Sequence, residues 1–207
     1  MPKVIFIDWN KTLSNSRFWE QLEDNNHRYH SHHTKIINSL FIDNKNLITP
    51  WMQGKLTSED ICKAIAENTG LDEELIFDEL VESAKNMNFV SEEIPELINS
   101  IRAKGIKVVI ATDNMDTFNR FTVKSMQLED LFDEILNSYE LKAMKGDFEN
   151  NKSLFFDDFI KRNNLSYAKT VLLDDSTSNS DPLTSLGMRT IQITSPDNLI
   201  YNLKKYL

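Results

Sequence analysis

Three apolar runs in this chain stop at acidic residues. VIFID ends at Asp8, KVVIAT runs into Asp113, and TVLLD ends at the pair Asp174–Asp175. Short, unbroken, β-branched runs of this kind read as buried strands. In an open parallel α/β sheet the carboxyl ends of the strands share one edge, and ligands bind there. The pattern therefore gathers carboxylates from distant parts of the sequence into one pocket. Carboxylates repel one another, so the cluster needs a cation or raised pKa values to hold it together. Mg²⁺ is the natural choice, because it takes hard oxygen ligands and is commonly shared with a substrate phosphate.

The order of the remaining segments fits such a sheet. From about Ser14 to Phe89 the chain is polar and reads as helical. Thr57-Ser58-Glu59 opens one helix, Gly70 stops it, and Leu71, Leu75, Phe77, Leu80, Val81 and Ala84 form the apolar face of the next. Alternation begins at Ile94. Helices are expected over 95–104, 115–127, 151–163, 176–186 and 197–206, with strands over 106–112, 134–137, 170–174 and 190–194. Strand–helix alternation implies right-handed crossovers and a parallel sheet. The expected architecture is α/β, a Rossmann-like core made of residues 1–13 and 91–207, with residues 14–90 inserted as a helical cap.

Composition narrows the function classes. With a formal net charge of −9 over 207 residues, a broad nucleic-acid or anionic-membrane surface is not expected. An anionic substrate remains compatible, since a bound metal inverts the local field. Cys62 is the one cysteine, so no intrachain disulfide forms, which fits a reducing compartment. MPKVIFID enters a strand-like run at once, without signal-peptide architecture, and no apolar stretch approaches the ~20 residues that span a bilayer. The expectation is a soluble, cytoplasmic protein whose oligomeric state the sequence does not name.

Four segments, in order and over almost the whole chain, resemble the haloacid dehalogenase-like (HAD) hydrolase superfamily, and within it the phosphoglycolate-phosphatase-like branch with a helical cap. They are Asp8-Trp9-Asn10-Lys11-Thr12-Leu13, against a family pattern Asp-x-Asp-x-Thr; Thr112 at the end of KVVIAT; Lys145 in SYELKAMKGD; and DDSTSN, which begins at Asp174-Asp175 and runs on to Leu186-Gly187-Met188. The resemblance implies a sheet order of fifth, fourth, first, second, third core strand. It implies Asp8 as the nucleophile that forms an aspartyl-phosphate, and Mg²⁺ held by Asp8, the Asn10 backbone and Asp175, with Asp174 close by. It also implies Thr112 donating to the phosphoryl group and Lys145 neutralising charge. The reaction it implies is Mg²⁺-dependent hydrolysis of a small phosphate ester.

Two positions depart from the family pattern. Asn10 stands where an aspartate usually serves as general acid and base, and an amide cannot exchange a proton near neutral pH. Lys11 stands where glycine is usual. The departure at Asn10 keeps open a ligand- or partner-binding protein with little turnover, beside a metal-free dehalogenase and a phosphomutase. Other readings compete residue by residue. Lys142 rivals Lys145. Asp113 and Asn114 read either as substrate contacts or as the cap of the next helix. Asp181-Pro182 reads as a turn or a proton source over the site. His27, His30, His32 and His33 suggest a metal site or a solvated cap segment. Phe18, Trp19, Trp51 and Met52 suggest pocket lining or cap core, and Arg17 and Lys55 are candidate anion contacts from the cap.

Overall fold

The computed structural model describes residues 1–207. Seven strands occur, in chain order β1 (Val4–Ile7), β2 (Lys107–Thr112), β3 (Glu134–Asn137), β4 (Phe148–Glu149), β5 (Lys152–Ser153), β6 (Thr170–Asp174) and β7 (Arg189–Gln192). Five of them form one sheet in the order β3-β2-β1-β6-β7, every pair parallel. Counted as core strands from the other edge, this is fifth, fourth, first, second, third, as the resemblance implies. The first strand is central and buried over its whole length.

Side-chain alternation explains why VIFI is apolar throughout. Ile5 and Ile7 face one layer with Ile98, Ile101, Leu199 and Leu203. Val4 and Phe6 face the other, with Phe156 and Phe159, whose rings lie 5.0 and 5.1 Å from that of Phe6. A strand covered on both faces needs apolar residues at every position.

Residues 14–90 lie between β1 and β2 and contain helices joined by turns and loops, with no strand. They contribute most of a further apolar cluster, Trp19, Leu22, Ile36, Leu40, Trp51, Ile61, Ile65, Ile76 and Leu80, which Met115 joins from past β2. The helix Ser58–Thr69 starts at a capping box: Thr57 Oγ1 accepts from the Asp60 N–H at 3.2 Å, and Asp60 Oδ2 accepts from the Thr57 N–H at 2.8 Å. Gly70 ends it in the left-handed conformation, φ 71°, where glycine has no Cβ penalty. No helix is long and apolar enough to cross a membrane.

Several boundaries differ from the sequence reading. The segment expected to be helical from 151 starts with the β4–β5 hairpin, turned by Asn150 and Asn151 at φ 50° and 58°, and the helix itself covers only Asp157–Arg162. Two adjacent left-handed residues are what a type I′ turn requires, and asparagine tolerates them. The 176–186 helix starts late, at Ser180. The one expected over 115–127 contains a π-helical turn, Phe118–Thr122. In the helix Glu73–Lys85 the buried stripe is Ile76, Leu80 and Ala84, while Leu75, Phe77 and Val81 are half-exposed.

Insertion and sheet are joined at Asp116, a buried residue just past β2. Its carboxylate accepts from Trp51 Nε1 at 2.9 Å, from Ser58 Oγ, and from Arg120 Nη1 at 2.7 Å. Arg120 also reaches Glu59, at 3.0 and 2.7 Å. Asp116→Ala leaves the Trp51 and Ser58 donors without an acceptor in a buried place, and should lower stability by about 1–3 kcal/mol. A urea unfolding curve measures this, and an unchanged midpoint would show that the contact is dispensable.

Candidate active site

Strand register assembles the site. Ile7 pairs with Ile110 on one side and Leu173 on the other. One residue further, Asp8 and Asp174 stand level at the carboxyl edge, with Thr112 ending the neighbouring strand. Asp8 continues the ladder, its N–H donating to the Leu173 carbonyl at 2.9 Å, and the Asp174 carbonyl accepts from Ile193 N–H at 2.8 Å.

The chain then doubles back. Ser14 N–H donates to the Trp9 carbonyl at 2.9 Å and Lys11 N–H to the Ser14 carbonyl at 2.7 Å. Lys11 takes φ 56°, a conformation that costs a residue bearing Cβ about 1–2 kcal/mol. That is the physical reason glycine suits this step. Trp9 pins the loop from below, its ring 5.0 Å from Phe118 and 5.8 Å from Phe89.

Lys145 is the electrostatic centre. Its Nζ lies 2.8 Å from Asp8 Oδ1 and 2.6 Å from Asp174 Oδ2, with all three side chains at most 7% exposed. The loop carrying it is fixed by two carboxylates. Asp113 Oδ1 accepts from the Lys145 N–H at 2.9 Å, and Asp147 Oδ2 accepts from the Met144 N–H at 2.8 Å. Lys142 is elsewhere: its ammonium sits 4.3 Å from the Tyr139 ring centroid and donates to the Gly54 carbonyl at 3.1 Å.

One ammonium does not balance this cluster. Burial pushes the Asp8 carboxyl up to about 7; Lys145 pulls it down, and the Asp174 charge adds to the rise. Burial also works against the Lys145 ammonium, but Asp8, Asp174 and Asp113 outweigh it and raise its pKa on balance. Asp175 is raised by burial and then by Asp174, and Asp113 chiefly by burial. With all three carboxylates ionised, Asp8, Asp174, Asp175 and Lys145 sum to −3 + 1 = −2. One oxygen from each of the three aspartates falls within a 4.8 Å span. Opposite ligands of an octahedral Mg²⁺ stand about 4.2 Å apart, and its ligands are oxygens. The donor set, the spacing and the unbalanced charge all fit a divalent cation.

Two threonine hydroxyls add to this picture. Thr12 Oγ1 and Thr112 Oγ1 are buried and bond nothing within the protein. Buried hydroxyls normally find a partner; Trp9 Nε1, Asn114 Nδ2 and Thr117 Oγ1 are buried and unpaired in the same way. Asn10 is exposed in the loop and lines an adjoining cavity.

The other sequence candidates divide. Asp113 and Asn114 lie just before the helical residues that start at Asp116, and the side chain of neither accepts from an N–H within that helix. Asp113 holds Lys145, and Asn114 Oδ1 accepts from Met115 N–H while its Nδ2 has no partner. Asp181 is exposed on the first turn of the helix Ser180–Ser185. The histidines do not converge. His27 faces Glu79 at 3.5 Å, His33 faces Glu23 at 3.6 Å, His30 bonds the Leu22 carbonyl at 2.8 Å, and His32 stacks on Tyr29. Phe18 and Met52 line the cavity with Arg17, whereas Trp19 and Trp51 are core and Lys55 bonds Gln53. Sequence reasoning missed Asp116 as the joint with the insertion and Asp147 as a brace of the Lys145 loop. The only signal for Asp147 was the Gly146-Asp147 pair beside the lysine.

Comparison with known proteins adds a family. A model described as haloacid dehalogenase-like hydrolase matches residues 2–184. Among solved structures, a HAD family enzyme from Bacteroides thetaiotaomicron, in complex with magnesium and inorganic phosphate, is 17% identical with a TM-score of 0.68, covering 95% of this chain and 96% of that one. A structure described as a predicted HAD-like family hydrolase from Porphyromonas gingivalis is 14% identical with a TM-score of 0.67, covering 99% and 97%. The L-2-haloacid dehalogenase of Xanthobacter autotrophicus, with chloropropionic acid covalently bound, is 13% identical with a TM-score of 0.63, covering 99% and 83%. At these identities the likeness is one of fold. No curated protein matches the sequence.

Proposed function

The chain belongs to the haloacid dehalogenase-like hydrolases, and from that premise we propose that it is a Mg²⁺-dependent phosphatase acting on a small phosphorylated substrate. The observation that carries the reading is the convergence of Asp174 and Asp175 on Asp8 within 4.8 Å. A nucleophilic aspartate alone serves dehalogenation or phosphoryl transfer equally. Two further carboxylates beside it repel an anionic substrate unless a cation is present.

In this reading Asp8, Asp174 and Asp175 hold Mg²⁺, which when bound supplies positive charge against the phosphoryl oxygens. Asp8 attacks phosphorus through a carboxylate oxygen, and the bond from phosphorus to the leaving oxygen breaks. Water then attacks the phosphorus of the aspartyl-phosphate, releasing phosphate and restoring the carboxylate. Lys145 holds Asp8 in place and offsets charge on the transferred group. The Thr12 and Thr112 hydroxyls donate to phosphoryl oxygens. Residues 14–90 act as a cap that covers the site and shields the intermediate.

The test is phosphate release from a panel of phosphate esters, with Mg²⁺ and then with excess chelator. We expect turnover that disappears with chelator. A melting temperature that rises with Mg²⁺ should accompany it, because linkage contributes about 2.7 kcal/mol at a hundredfold excess over Kd. Chloride release from a 2-haloacid without metal, with no phosphate released from any ester, would replace this reading with dehalogenation.

A further inference from the structure

We propose that the substrate is an aryl phosphate, a phosphate monoester of a flat, apolar phenol-like alcohol, and not a sugar or polyol phosphate. The inference rests on the phosphatase reading and adds the leaving group to it. Two independent observations converge on it.

The first is the cavity beside the carboxylate cluster. It holds about 520 Å³ and reaches from Asn10, Lys11 and Asp113 at the strand ends to the insertion. That is within the ~300–1,000 Å³ of small-ligand pockets. Its apolar wall is Phe18, Phe41, Met52, Met87 and Met115. Polarisable methionines and aromatic edges suit a ring. Seven of the twelve lining residues are polar or charged, and four of them bond within the protein. Ser14 Oγ accepts from the Ser16 N–H at 3.2 Å, Ser16 Oγ from the Asn88 N–H at 3.1 Å, Arg17 donates to Glu23 at 2.8 Å, and Asp113 holds Lys145. A polyol needs many free donors and acceptors, since each hydroxyl desolvated without a partner costs affinity. This wall offers Asn10, Lys11 and Asn15 beside five apolar side chains.

The second observation is Asn10. In the position where a carboxylic acid would protonate the departing oxygen stands an amide, which has no proton to give. With no proton from Asn10, the leaving group best suited to this site is one that is stable as an anion. A phenol leaves as an anion readily, with a pKa of about 10 as in tyrosine, whereas an alkyl alcohol is closer to water at about 15.7. The balance is complete without an acid. Asp8 forms its bond to phosphorus, the bond to the aryl oxygen breaks, and the electron pair leaves on a phenoxide that takes its proton from solvent.

The experiment compares kcat/KM for 1-naphthyl phosphate, 2-phenylethyl phosphate and glycerol phosphate in the wild-type protein with Mg²⁺. The second ester keeps the ring but has an alkyl leaving group, so it separates the cavity from the leaving group. We expect 1-naphthyl phosphate to be preferred most strongly and glycerol phosphate least. Asn10→Asp should raise 2-phenylethyl phosphate turnover by up to about 10²-fold and the naphthyl ester much less. Met52→Ser, and separately Phe41→Ser on the outer wall, should raise KM for 1-naphthyl phosphate about 10-fold relative to acetyl phosphate, which carries no ring. Equal or better turnover of glycerol phosphate, or wall variants that leave the KM ratio unmoved, overturns the aryl assignment while the phosphatase reading stands. Absence of phosphate release from every ester overturns the phosphatase reading itself.

Discussion

Asp8→Asn should remove turnover, by about 10³-fold or more, without unfolding the protein. Asparagine has nearly the shape of aspartate, and its side-chain oxygen can still accept from Lys145 Nζ. What it lacks is a carboxylate oxygen able to attack phosphorus. The stability readout separates chemistry from folding. In the metal-free protein Asp8 is a buried carboxyl already pushed up to about 7 by burial, beside Asp174. A neutral amide relieves that crowding, so the melting temperature without metal should stay level or rise. Its increase on adding Mg²⁺ should shrink, because one of three anionic ligands is gone. Full turnover in Asp8→Asn would end the aspartyl-phosphate mechanism. Lost turnover with a collapsed melting temperature would assign Asp8 a structural role instead.

The parts of this molecule that the sequence made legible are those in which local pattern and global fold agree. VIFI is apolar at every position because β1 is covered on both faces, and such a run has no other comfortable place. The sheet edge followed from where those runs stop. The hairpin Phe148–Ser153 was not legible, because two-residue strands carry no measurable period and Asn150-Asn151 reads as well as a polar helix start. The face of Glu73–Lys85 was misjudged for a related reason. Leu75, Phe77 and Val81 are apolar but lie beside the buried stripe, and partial burial of apolar side chains is ordinary.

The candidate site divides along the same line. Residues on strand ends, Asp8, Thr112 and Asp174, are placed by register. Residues on loops depend on contacts that no periodicity encodes. Lys145 and Lys142 are three residues apart and chemically alike. Asp113 and Asp147 bind backbone N–H groups around Lys145, while Lys142 is drawn to Tyr139 and Gly54. Asp116 was invisible for a stronger reason. Its partners Trp51 and Ser58 lie 65 and 58 residues away in sequence.

Lys145→Met should be the most costly change outside the nucleophile, and its two effects should respond differently to metal. Methionine fills a similar volume with an unbranched chain, so packing is largely kept and the charge is removed. Asp8 and Asp174 then lose the cation that lies within 2.8 Å of both. Removing one partner of a buried ion pair costs about 3–5 kcal/mol, because the remaining charge has nothing to offset it. In this site two carboxylates are orphaned at once, and the metal-free protein should melt much lower. Mg²⁺ supplies positive charge to the same carboxylates, so adding it should recover a large part of that loss. Turnover should not recover. In the phosphatase reading Lys145 also offsets the charge developing on the transferred phosphoryl group, a contribution of about 10²–10³-fold. Melts with and without Mg²⁺, run beside kcat at saturating Mg²⁺, separate the two roles. If kcat returned together with the melting temperature, Lys145 would be only a placeholder for the cation. If neither the melt nor kcat changed in Lys145→Met, the ion-pair geometry at the centre of this site would be wrong.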